Sequence, residues 1–243
     1  MTDAFFAWSG GKDSALGLYR ILQEPQYRVK YLLTTVNEAY QRVSMHGVRL
    51  ALLEQQAQAI GIPLKIVWVP ENTSMGEYEA RMAEALQGFK IEGITTGIFG
   101  DIFLEDLRRY REEKLNQIGM QAYFPLWGAN TTGLVQDFIA SGFRAKLVCV
   151  SDQRLGRAFI GQDLDAALLQ DLPAPVDPAG ENGEYHSFVY DGPLFNNPVN
   201  FKPGEIIMRD YTPAADKDAE CGTNNTPAYD TKFWFCDLIP EPS

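Results

Sequence analysis

Apolar and polar positions along the first half of the chain repeat a strand-then-helix rhythm. Residues 4–8 (AFFAW) are an unbroken apolar run, as in a strand buried on both faces. Residues 13–24 predict a helix, with Asp13 near its start and Pro25 beyond its end. Residues 29–36 (VKYLLTTV) predict a second strand. Over 47–60, Leu50, Leu53, Ala57 and Ile60 fall on one helical face, and Gly61 closes that helix. A strand at 64–69, a helix at 74–88 and a short strand at 93–98 follow. A helix over 102–118 then carries Leu104, Leu107, Leu115 and Ile118 on one side. Repeated βα units predict an α/β fold: a Rossmann-like parallel sheet with helices on both faces.

The second half changes character. A helix near 130–141 and a strand at 143–151 follow a turn-rich stretch. From 173 onward Pro, Gly and Asn become frequent, with strands expected at 201–211 and 232–239 and a loop over 212–228. The break is placed near 120, giving a nucleotide-binding domain at 1–120 and a smaller α+β domain at 121–243.

Composition narrows the classes. The 243 residues carry a formal net charge of −11, so the broad basic field of a nucleic-acid binder is missing and no nucleic-acid partner is expected. No apolar run approaches the ~20 residues of a membrane helix, and no leader pattern opens the chain, so a cytoplasmic protein is expected. Cys149, Cys221 and Cys236 include no CxxC pair, and with only His46 and His186 besides, a structural zinc site is not expected. Cys149 reads as a small buried hydrophobe.

The chemistry concentrates between the first strand and helix, in Ser9-Gly10-Gly11-Lys12-Asp13-Ser14. A Walker A loop would need glycine at position 6, which is Phe6, and Ser or Thr where Asp13 stands. The dinucleotide pattern fails too, because Gly10 and Gly11 are adjacent. An anion site remains favoured. Two glycines let successive N–H groups converge at a helix N-terminus, Lys12 adds a positive charge, and Ser9 and Ser14 add hydroxyl donors.

This string resembles the PP-loop of the ATP pyrophosphatase superfamily. The resemblance implies a HUP-type sheet and cleavage of ATP between the α and β phosphates, the loop holding the part that leaves as pyrophosphate. Three further stretches, GIFGDI (97–102), FPLWG (124–128) and DPAGENGEYHSFVYDGPLF (177–195), resemble the diphthine–ammonia ligase family. That family implies an ATP- and Mg2+-dependent ligase that adenylates a carboxylate and amidates it with ammonia; the metal ligands stay open. Carried over by position, Ser9 to Ser14 and Gly97 bind nucleotide. Lys12, Asp101, Glu181 and Glu184 carry catalysis, and Gly183, Tyr185 and His186 contact substrate.

The chain departs from the family pattern at Asn182, where the family has glycine, and at His186-Ser187, where it has Glu-Thr. It departs again at VSMHGVR (43–49), where His46 and Arg49 read either as substrate contacts at a helix start or as a cap with an exposed arginine. Arg109, Arg111 and Glu113 match a family Arg-x-Arg-x-Glu pattern after a one-residue shift, beside Arg108 in what also reads as a solvated helix face. Two other functions compete: a tRNA-modifying PP-loop enzyme, and a nucleotide sensor without turnover. A homodimer through the C-terminal half is open.

Overall fold

The computed structural model describes residues 1–43, 46–71, 73–210 and 231–242. The loop expected at 212–228 and Cys221 lie outside the described residues. A first sheet combines β1 (Thr2–Ala7), β2 (Tyr27–Asn37), β3 (Arg42–Val43), β4 (Leu64–Val69), β5 (Thr96–Ile98) and β6 (Gln121–Tyr123). Along it the order is β3-β2-β1-β5-β6, with β4 also paired to β2. All pairings are parallel except β2–β3. From β1 the chain first builds outward through β2 and β4 on one side and then crosses back to β5 and β6 on the other, so β1 ends at the topological switch point, where parallel α/β sheets bind ligands.

The apolar runs are continuous because both faces are covered. Ala4, Phe6 and Leu32 pack with Leu16, Leu18 and Ile21 of α1 (Lys12–Ile21), Leu52 and Leu53 of α2 (Leu50–Ile60), and Phe138 of α5 (Thr131–Ala140). Phe5, Leu33 and Val67 face the other way, onto Leu86 and Phe89 of α3 (Met75–Ile91) and Leu115 of α4 (Glu105–Gln117). The expected α/β class with helices on both faces is found.

Several boundaries move for physical reasons. Helix α2 begins at Leu50 rather than 47, because Gly47 sits at φ 66 and Val43 and Val48 share a backbone hydrogen bond that closes a turn. Helix α3 begins where Ser74 and Glu77 form a reciprocal capping box. Leu104 precedes α4 and is 42% exposed, so it does not join Leu115 in the core.

The second sheet is antiparallel, in the order β8-β7-β10-β9. It is built from β7 (Arg144–Ser151), β8 (Tyr185–Asp191), β9 (Phe201–Asp210) and β10 (Lys232–Pro240), with a short helix α6 (Ala166–Asp171). Strand β6 pairs with β5 over Thr96↔Gln121 to Ile98↔Tyr123, so the first sheet runs three residues past the break expected at 120. One apolar core includes Ala4 and Phe6 from the first half and Val150, Phe188 and Leu238 from the second.

The two sheets meet at the turn after β1. Val189 N–H of β8 donates to the Gly10 carbonyl at 2.9 Å, and Lys12 N–H donates to Ser187 Oγ at 3.1 Å. Gln56 of α2, fully buried, donates from Nε2 to the Gly10 and Val189 carbonyls at 3.1 and 2.6 Å. Its Oε1 accepts from Trp8 Nε1 at 2.9 Å. Replacing Gln56 by Ala strands these buried groups, so urea denaturation should show a loss of about 1–3 kcal/mol.

Candidate active site

A cavity of about 580 Å³ opens at the carboxyl ends of β1 and β2, within the roughly 300–1,000 Å³ range of small-molecule sites. Ser9, Gly11, Lys12, Asp13 and Ser14 form one wall, and Glu181, Gly183, Tyr185 and His186 another. Asp101 and Arg111 line it from the β5–α4 side, and His46 from the turn before α2. Thr34 and Thr35 at the end of β2 and the apolar side chains of Leu33, Tyr78, Met82, Phe99, Leu104 and Leu107 complete it. Stretches separated by as much as the interval from Ala7 to Ser187 thus converge on one space.

The loop is compact and internally bonded. Gly10 adopts φ 79, and a β-carbon there would lie 2.7 Å from Gln56 Oε1, so both backbone and space call for glycine. Gly11 N–H donates to Ser9 Oγ at 3.3 Å, and Ser14 Oγ donates to the Gly11 carbonyl at 2.9 Å. Lys12 is buried; its Nζ lies 2.8 Å from Asp13 Oδ2 and 5.2 Å from the Tyr185 ring centroid. Burial alone would discharge it, but Asp13, Tyr185 and Glu181 outweigh that and raise its pKa, so it stays an ammonium.

Glu181 has the opposite problem. Burial, with Asp13, Asp177 and Asp101 nearby, raises its carboxyl to about 7 against the pull of Lys12. A carboxyl titrating near neutrality in a cleft is suited to proton transfer. Tyr185 is buried, its hydroxyl donating to the Pro178 carbonyl at 2.5 Å. His46 and His186 are in ring contact, centroids 4.6 Å apart. Burial, then Lys12, pulls His186 down to about 4; burial, then His186 and Lys12, pulls His46 well below 6.5.

Four expected site residues lie elsewhere. Glu184, expected beside Glu181 on the cavity wall, is fully buried and structural in its contacts. It accepts from the N–H groups of Asn182 and Asp177 at 2.9 and 3.2 Å and from Arg154 Nη1 at 3.3 Å. Gly97 is a packing glycine: a β-carbon there would meet Phe5 at 2.6 Å and Leu115 at 2.9 Å. Arg49 pairs with Asp237 of β10 instead of lining the cavity. Gly10 contributes its carbonyl to the seam with β8.

The arginines of α4 separate. Arg111 Nε sits 2.7 Å from Asp101 Oδ2, and the guanidinium lies 4.4 Å from the Phe99 ring centroid. Arg108 stacks over Trp127 and pairs with Glu112, Arg109 pairs with Asp106 on the exposed side, and Glu113 is exposed.

Comparison with known families settles the kinship. Residues 3–122 match the family model described as the diphthamide synthase N-terminal domain, and residues 130–212 match that of the diphthamide synthase C-terminal domain. The chain belongs to the diphthamide synthase family. Among curated relatives, the diphthine–ammonia ligase of Mus musculus is 24% identical over 232 residues, covering 82% of this chain and 83% of that one. The Danio rerio enzyme of the same name is 26% identical over 226 residues, covering 82% and 86%. That of Schizosaccharomyces pombe is 29% identical over 122 residues, 48% of this chain and 20% of its own. The two diphthamide synthase domains meet where β8 bonds to the Ser9–Ser14 loop.

Gln56 and Asp237 have no place in the sequence reading, and Ser187 enters it only as a departure from the family pattern, not as a partner of the loop. Gln56 carries a faint signal, an amide on the buried face of an amphipathic helix; Asp237 carries none without the fold.

Two tests follow. Gly97→Ala should destabilise the protein by about 1–3 kcal/mol while leaving nucleotide affinity unchanged, read by thermal melting and equilibrium binding. Glu181, with a folded pKa above its ordinary value of 4.5, contributes stability that is present below about 4.5 and lost as pH rises through about 7. Glu181→Gln should therefore be more stable than the parent at about pH 8 and lose that advantage at about pH 4, read by urea denaturation.

Proposed function

We propose that the protein is an ATP-dependent, AMP-forming ligase that adenylates a carboxylate and amidates it with ammonia. The acceptor class is the one in the relatives' name, diphthine or a related carboxylate. The observation that carries this reading is the convergence, in one cavity, of an anion-cradling loop with a buried ammonium and a carboxyl titrating near neutrality.

ATP is read as a substrate. The polar loop from Ser9 to Ser14 suits its phosphates, and the apolar side of the cavity, with Leu33, Met82 and Phe99, suits its base. Among the described residues no group of three or more His, Cys, Asp or Glu is placed to hold a metal. Mg2+ would enter with ATP, with Asp101 the carboxylate on the cavity wall that could reach it, and would offset charge on the phosphates.

In the first step an acceptor carboxylate oxygen attacks the α-phosphorus, and the bond to the bridging oxygen of pyrophosphate breaks. Lys12 and the loop stabilise the charge that develops on the leaving group. In the second step ammonia attacks the acyl carbon and AMP leaves with the electron pair. Glu181 takes the proton that nitrogen must lose, which requires the ionised carboxylate. Little covalent work falls to the protein; positioning and water exclusion dominate.

The readings as a tRNA-modifying enzyme or a silent nucleotide sensor rest on the same loop, and product analysis separates them. A diphthine-bearing substrate, ammonium and Mg–ATP should yield AMP and pyrophosphate in proportion to amide formed. Lys12→Ala should reduce the rate by about 10²–10³-fold. ADP as the product, or no AMP with this or any other carboxylate offered, would sink the reading. The rate should climb as pH rises through about 7, and Glu181→Gln should abolish that limb.

A further inference from the structure

The chain contains two histidines, and they touch. His46 comes from the turn before α2 and His186 from β8, so the contact is assembled by both sheets. A β-carbon on Gly11 would lie 3.4 Å from His46 Nε2, which puts this imidazole against the phosphate loop. His46 Nδ1 is buried without a hydrogen-bond partner. Orphaned buried nitrogens are costly, and a ligand oxygen is one way to satisfy them.

The turn that carries His46 is clamped from β10. Asp237 accepts from Arg49 through Nε–Oδ1 at 3.0 Å and Nη2–Oδ2 at 2.5 Å, and Arg42 Nη1 lies 2.9 Å from Oδ1. Arg42 also donates to the Gly47 carbonyl at 2.6 Å. Phe235, two residues before Asp237, packs against Gly47, where a β-carbon would sit 3.1 Å from its ring. Burial would raise the Asp237 carboxyl, but Arg49 and Arg42 hold it below the usual carboxylate range, so the clamp stays charged near neutrality.

We propose that His46 and His186 form one element of the phosphate site, an imidazole pair that takes up a proton from solvent when a triphosphate or pyrophosphate occupies the loop, with Asp237 as the positioning residue that sets the rings in contact. This rests on reading residues 9–14 as the phosphate cradle. Both rings are neutral in the free protein because of burial and the Lys12 ammonium. A polyphosphate offsets that ammonium and supplies anionic oxygens, which favours the imidazolium. The remaining charged groups around the cavity are Asp13 beside Lys12, Glu181 and Tyr185 on the β8 side, and the Asp101–Arg111 pair opposite; Arg42, Arg49 and Asp237 stand behind the turn. The imidazolium offsets charge on the departing pyrophosphate and releases its proton when that anion leaves.

With two histidines in this sequence, tag-free protein labelled with 13C at histidine Cε1 gives two ring signals. Both should titrate below 6.5 in the free protein and shift up by about one pH unit or more on adding magnesium pyrophosphate. An inter-ring NOE should be present in the parent. In Asp237→Asn it should be lost and His46 should return toward its ordinary pKa, with unchanged circular dichroism. Arg49→Gln loosens the same clamp and serves if Asp237→Asn does not fold. Ring pKa values that pyrophosphate does not move would overturn the phosphate role. An NOE that survives in the clamp variant would overturn the positioning role. Rings that respond in a protein that never forms AMP would refute the ligase chemistry and leave this inference standing.

Discussion

The Ser9–Ser14 loop does not stand alone on its own sheet; it is bonded to a strand some 175 residues later. Val189 N–H on the Gly10 carbonyl, Lys12 N–H on Ser187 Oγ and the buried Gln56 amide across both chains fix the turn after β1 against β8. Much else depends on this seam. It fixes the loop's conformation through protein contacts alone, and it brings the 177–186 segment to the same cavity. A preorganised cradle spends less of its binding energy on ordering itself.

Electrostatics then divides the cavity. Lys12 is the buried positive centre, kept charged by Asp13 and Tyr185. Its field, with burial, keeps the histidines neutral and lowers the carboxyl of Glu181, whose acidic neighbours and own burial nonetheless carry it up to about 7. Arg111 pairs with Asp101, so that carboxylate is partly compensated on the opposite wall. The result is a buried ammonium beside a carboxyl titrating near neutrality, the pairing on which the proposed amidation draws.

The sequence made the sheet and its loop readable because both faces of each parallel strand are buried and the helices between them are amphipathic. AFFAW reads as a strand for that reason, and the Ser-Gly-Gly-Lys-Asp-Ser string announces the anion site. The antiparallel half was harder. Strand β8 mixes Tyr, His, Ser and Asp with its apolar residues, since its first residues line a cavity as well as a core. Glu181 and Glu184 look alike in one dimension, three residues apart; only the fold shows one facing the cavity and the other consumed by Asn182, Asp177 and Arg154. The family resemblance makes Gly97 a nucleotide contact, whereas in the fold Phe5 and Leu115 occupy the space a β-carbon there would need. Asp237 was invisible because its partners, Arg42 and Arg49, lie almost two hundred residues away.

The most direct test of the central claim is a crystal structure with magnesium and an ATP analogue that resists cleavage between its α and β phosphates. The account predicts the β and γ phosphates against Ser9 to Ser14, with the α-phosphorus turned toward the space bounded by Glu181. A triphosphate seated away from that loop, or an α-phosphorus on the far side of the cavity from Glu181, would contradict it.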